Sequence, residues 1–150
     1  MTVTIRDAVR SDAPLIVQFI EDLADYEKLR HEAVATVADI ERELFGPSPK
    51  VFCQIAEWGG RPAGFALWFY TFSTFLGRHG IWLEDLFVRP AFRGRGHGLA
   101  LLNELRSRTD GRVEWSVLDW NESSIRFYES LGARPHVGWT TYRWVATERQ

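Results

Sequence analysis

Three glycines at alternate positions, Gly94, Gly96 and Gly98, are interleaved with Arg95 and His97, preceded by Arg93 and followed by a leucine-rich run from Leu99. Glycine has no Cβ, so backbone N–H groups at such positions can converge on one small anion. A helix beginning there adds its own free N–H groups and the positive end of its dipole. Arg93 and Arg95 bring further positive charge. The arrangement suits a pyrophosphate. It is not a P-loop, which needs Gly-x4-Gly-Lys-Ser/Thr. Nor is it a dinucleotide fingerprint, which has Gly-x-Gly-x-x-Gly after an early strand.

Carboxylates provide the second chemistry. Glu84 and Asp85 interrupt an apolar run, Ile81-Trp82-Leu83 before them and Leu86-Phe87-Val88 after. A primary ammonium has a pKa of about 10.4, so only about one part in a few thousand is neutral at pH 7, and a carboxylate that takes its proton is useful for any amine reaction. Adjacent strand residues face opposite sides, so one of Glu84 and Asp85 is expected to face a cleft. Trp82, Phe75 and Trp115 are candidates to line a pocket for an aliphatic arm or a cation. Cys53, between Phe52 and Gln54, is expected to be a buried thiol. His31, His79, His97 and His136 lack metal-ligand spacing, so no metal is expected. The His97 side chain, inside the glycine loop, is expected to face solvent.

These residues must be held by definite elements. Val3–Arg6 alternates as a strand. Ser11-Asp12-Ala13-Pro14 starts a helix with a capping side chain and an early proline, and Leu15, Ile16, Phe19, Ile20 and Leu23 continue it to near Leu29. Thr36 caps a second helix through Leu44, stopped by Gly46-Pro47. Val51–Trp58 and Pro62–Phe72 form a hairpin about Gly59-Gly60, and Gly80–Val88 is a further strand. Gly98–Arg108 is helical, Arg112–Leu118 a strand, and a helix runs from Asn121 or Ser123 through Ser130. The tail, Arg134 to Val145, has the pattern of two short strands around Val137-Gly138. A meander leading into a βαβ unit predicts an α/β fold with a mixed, mostly antiparallel sheet and helices on both faces.

Arg93, Gly96 and Gly98 match Arg/Gln-x-x-Gly-x-Gly/Ala, which resembles the acyl-CoA signature of the GNAT superfamily of N-acetyltransferases. Asn121, Ser124, Phe127, Tyr128, Gly132 and Ala133 resemble the superfamily's next block. The branch resembled is that of the diamine and spermidine/spermine acetyltransferases, most nearly the thialysine acetyltransferases. The supporting segments run through most of the chain: Leu23–Leu29, Ser73-Thr74-Phe75 with Gly77-Arg78, Leu83-Glu84-Asp85 and Val117–Asn121. The resemblance implies a splayed sheet and acetyl-CoA as co-substrate. The loop Arg93, Gly94, Arg95, Gly96, His97, Gly98 and Leu99 would hold the pyrophosphate. Leu86, Phe87 and Val88 would form a bulged stretch pairing with the pantetheine arm, with an N–H of Phe87 or Val88 for the oxyanion. Asn121, Ser124 and Tyr128 would contact the coenzyme. Glu84 would be the base and Asp85 its support, and Tyr128 the acid, or a hydrogen-bond donor to the sulfur. Tyr26 and Glu27 would meet the acceptor amine. Ser73 stands where polyamine enzymes place an acid, which favours a small amine or basic amino acid. A homodimer is also implied.

Composition bounds this reading. The 150 residues suffice for one domain, expected over 1–150. A net charge of −2 weighs against nucleic-acid binding. A single cysteine forbids an internal disulfide and suggests a cytoplasmic protein. No leader-like apolar segment or 18-residue apolar run is present, so no membrane role is expected. Two other readings stay open: polyamine acetylation, and a catalytically weak CoA-binding module.

Overall fold

The computed structural model describes residues 1–146. Five strands, β1 (Val3–Asp7), β2 (Phe52–Trp58), β3 (Arg61–Ser73), β4 (Arg78–Val88) and β5 (Val113–Glu114), form one sheet in chain order. Pairing is antiparallel from β1 to β4, and β5 joins β4 in parallel. The helices are α1 (Ala13–Tyr26), α2 (Val37–Phe45), α3 (His97–Arg106) and α4 (Glu122–Ser130). The chain divides into two compact units, Met1–Ser116 and Val117–Gln150. Among the described residues no helix is long and apolar enough to cross a membrane.

In the first unit helices cover both faces of the sheet. Ile16, Phe19 and Leu23 recur at helical spacing on α1 and are buried, and Phe19 stacks on Phe65 of β3 at 5.1 Å. Burying one such ring is worth about 1.5–3 kcal/mol. Ile40 and Leu44 of α2 join this core, with Leu67 and Phe87. Trp68 points to the opposite face, where its indole N–H donates to Gln54 Oε1 at 2.6 Å and Arg108, just beyond α3, lies over its ring. Thr36 and Asp39 close α2 with a capping box.

Three local expectations are corrected. The Asp12 side chain does not cap α1; it accepts from the Val9 N–H and from Arg6, which holds its carboxyl below the usual carboxylate range. α1 stops at Tyr26 in a Schellman turn, with Lys28 N–H donating to Asp25 O and Leu29 N–H to Ala24 O. Lys28 takes the left-handed position of that turn, φ 62°, as the only non-glycine residue with positive φ among those described. The tail forms no strand: 134–145 carries no ladder among the described residues, Gly138 turns the backbone with φ 96°, and a strand requires an edge to pair with.

Candidate active site

β4 leads directly into the glycine turn, and both belong to the first unit. After Val88 a short 3₁₀ turn, Pro90–Phe92, precedes Arg93. Gly94 (φ 80°) and Gly96 (φ 89°) are both left-handed, and Gly96 is the N-cap of α3. A Cβ on either would meet nothing within 4 Å. Backbone conformation, not crowding, therefore demands glycine here, and the turn opens onto free space. Gly98 and Leu99 lie in the first turn of α3, where the N–H groups have no intrahelical acceptor. Free backbone N–H groups therefore stand where the turn runs into α3.

The arginines behave otherwise than a simple charge count suggests. Arg93 Nε donates to Val88 O at 2.9 Å, and its guanidinium lies over the rings of Tyr26 and Phe87. Arg95 lies over Trp58 at 4.8 Å. Both side chains fasten the loop while keeping their charge beside it. His97 is a correction: it is 1% exposed, and its ring meets Trp58 at 5.8 Å and Phe92 at 6.3 Å edge-on. The first position of α3 places its side chain beneath the loop, so only its backbone borders the open side.

The expected bulge lies earlier than Leu86–Val88. Leu86, Phe87 and Val88 pair in regular register with Ala66, Phe65 and Gly64. The register shifts where Leu67 faces Asp85 and Trp68 faces Leu83, so Glu84 is the extra residue. The bulge sets the two carboxylates apart: Glu84 leaves the ladder and is exposed, while Asp85 is turned to the face that carries Leu67. The splay is also present. β5 is shorter than the expected Arg112–Leu118 and pairs only through Val113 and Glu114, opposite Ile81 and Trp82. From Leu83 to Val88 the only strand beside β4 among the described residues is β3. Trp115 follows β5 and is half-buried.

Three carboxylates gather at this place. Trp82 Nε1 donates to Glu84 Oε1 at 3.0 Å. Asp85 is half-buried; burial first, then the charges of Glu84 and Glu27, push its carboxyl up to about 7. Glu27, just past α1, is also raised, by burial and by Glu84. The pair Glu84 and Asp85, expected on the motif, thus acquires Glu27 as an electrostatic neighbour. Phe75 stands 88% exposed at the β3–β4 turn.

The second unit carries the other motif. Asn121 is buried and caps α4, its Oδ1 accepting from Ser124 N–H at 3.3 Å. Tyr128 is half-buried on the same helix, beside Phe127. Sequence reasoning missed Trp58, Arg61 and Phe92, which brace the glycine turn; Arg61 lies over Phe92 at 5.1 Å. Their only signal was an aromatic–arginine pairing across elements distant in sequence.

A profile of the acetyltransferase (GNAT) family matches residues 16–133. The chain belongs to that family. It is an N-acetyltransferase of the GNAT fold. It is 31% identical over 157 residues to thialysine N-epsilon-acetyltransferase of Sus scrofa, covering 95% of this chain and 92% of the relative. The enzyme of that name from Caenorhabditis elegans is 33% identical over 138 residues, covering 87% and 84%. Among solved structures, an integron cassette protein from V. cholerae superposes with a TM-score of 0.79 at 24% identity, covering 98% of this chain and 94% of that one.

Proposed function

We propose that this GNAT enzyme uses acetyl-CoA to acetylate the primary amine of a small molecule, a thialysine- or lysine-like amino acid or a diamine, by direct attack in a ternary complex. The observation that carries this reading is the sequence of features along β4: a carboxylate bulge, an edge that meets no second strand among the described residues, and an open glycine turn at a helix N-terminus. The names of the relatives support the amine class.

Acetyl-CoA supplies the acyl group as a thioester. The turn from Arg93 to Leu99 would hold its pyrophosphate, and the open edge of Leu86, Phe87 and Val88 would pair with its amide-containing arm. Neighbouring strand residues aim their N–H groups to opposite sides, so one of Phe87 and Val88 offers an N–H to that edge for a developing oxyanion. The acceptor ammonium is drawn to Glu27, Glu84 and Asp85. Glu84, favoured as the base on sequence, is the exposed member. Asp85, with its carboxyl pushed up to about 7, is better matched to remove a proton near neutral pH. Tyr128 and Asn121 take the roles that the family motif gives them, Tyr128 as the donor to the leaving sulfur. A phenol at about 10 protonating a thiol at about 8.5 is uphill by roughly 2 kcal/mol, so its main part is a hydrogen bond. We also infer a homodimer, as the branch resemblance implies, and a cytoplasmic location, as the single cysteine suggests; the mass in solution tests the first.

The deciding experiment measures free thiol released from acetyl-CoA with thialysine, lysine, short diamines, spermidine and spermine. Fastest turnover with thialysine or lysine supports the reading. Spermine turned over fastest would make it a polyamine enzyme. Binding of CoA with no turnover would point to an acceptor outside this panel or to a binding module.

A further inference from the structure

His97 is the least explained residue in the first unit. Its imidazole is buried, and neither Nδ1 nor Nε2 has a hydrogen-bond partner among the described residues. A buried polar group left in this state costs stability, so its retention asks for a reason. The surroundings offer none: its ring neighbours are Trp58 and Phe92. Behind them lie two guanidiniums in a reciprocal clasp. Arg95 of the loop covers Trp58 of β2, and Arg61 of β3 covers Phe92 of the loop. The clasp therefore locks the loop to the β2–β3 hairpin with an imidazole at its centre and no acceptor aimed at it.

The loop above can supply one. Gly94 and Gly96 carry no Cβ and have open space where one would stand, so no side chain at either glycine opposes a turn of the Gly94–Arg95 and Arg95–Gly96 peptides, while the Gly96 carbonyl stays held by the Ala100 N–H. The N–H and C=O of a peptide unit point in opposite directions because the unit is planar and trans. Turning loop N–H groups outward to an anion therefore turns their carbonyls inward, to the side where His97 is buried.

We propose that His97 is a positioning residue whose imidazole N–H donates to a loop carbonyl oxygen when the turn closes on the coenzyme phosphates. This rests on the reading of the turn as the coenzyme site. Binding then relieves a buried unpaired donor, and part of the affinity for CoA comes from a side chain that does not touch it. Arg61, Trp58 and Phe92 hold the imidazole in place for the exchange.

His97→Phe tests this, since it keeps the ring and removes both nitrogens. The expected result is two changes of opposite sign: a melting temperature higher by about 2–4 °C without ligand, and a CoA dissociation constant, measured by calorimetry, weaker by about tenfold. A packing role alone would not weaken binding in a stabilised protein. Unchanged CoA affinity in a folded His97→Phe variant overturns the proposal. Should that variant not fold, long-range ¹H–¹⁵N spectra of the wild-type protein decide: the His97 ring nitrogens shift on addition of CoA, and a static pair of signals overturns the inference. Failure of the wild-type protein to bind CoA at all would instead remove the coenzyme reading itself.

Discussion

In the proposed reaction, Asp85 is the residue on which the chemistry turns most directly. With its carboxyl pushed up to about 7, activity limited by this base rises with pH through that value. Asp85→Asn is expected to lower kcat/KM by about 10²-fold or more and to erase the acidic limb of the pH–rate profile. A limb that persists in Asp85→Asn and vanishes in Glu84→Gln would return the role to Glu84. Tyr128→Phe is expected to lower kcat by about 10²-fold with little change in CoA affinity; an unchanged kcat would remove its part in leaving-group departure. At this scale the sequence was legible wherever a motif names a residue by type and spacing. Gly94, Gly96 and Asn121 stand where their patterns put them, while Glu84 and Asp85 sit at a bulge that their alternation did not foretell. The burial of His97 was not legible, because a histidine's exposure depends on Trp58 and Phe92, which belong to other elements.

Among the elements, strands and helices with period or capping signals were foreseen to within a few residues, from the Thr36 capping box to the Gly59-Gly60 hairpin. What failed depends on partners distant in the chain. β5 is cut to Val113–Glu114 because β4 and its neighbour diverge, and the alternating tail has no ladder. The end of α1 gives a prediction of its own. Lys28 occupies a left-handed position where an L side chain is disfavoured by roughly 1–2 kcal/mol. Lys28→Gly should raise the unfolding free energy by about 1 kcal/mol in chemical denaturation. A loss of stability would mean that the lysine side chain contributes more than its backbone costs.

For the whole molecule, the raised and lowered carboxyls pull stability in opposite directions with pH. Asp85 is raised from 3.8 to about 7, so the folded state binds the extra proton between those values, and stability falls as pH rises through that window. Asp12 is lowered by Arg6, so its contribution is present above its ordinary value and is lost as pH falls below it. A melting temperature highest in mildly acidic buffer and lower at pH 7–8 is expected. Asp85→Asn should melt higher than the wild type at pH 8 while being the less active protein. Equal melting at pH 8 would show that burial of the Asp85 charge costs the fold nothing.

The bulge in β4 has one more implication. A strand ordinarily does not tolerate losing a residue, because every later side chain turns over to the wrong face. Here Leu83 and Asp85 already lie opposite adjacent residues, Trp68 and Leu67. A chain shortened by Glu84 alone could splice its ladder shut, with Asp85, Leu86, Phe87 and Val88 keeping the neighbours they have. Glu84 is thus a passenger to the sheet's architecture, a supernumerary link whose removal the strand can heal, so its loss would test the proposed chemistry with little cost to the sheet.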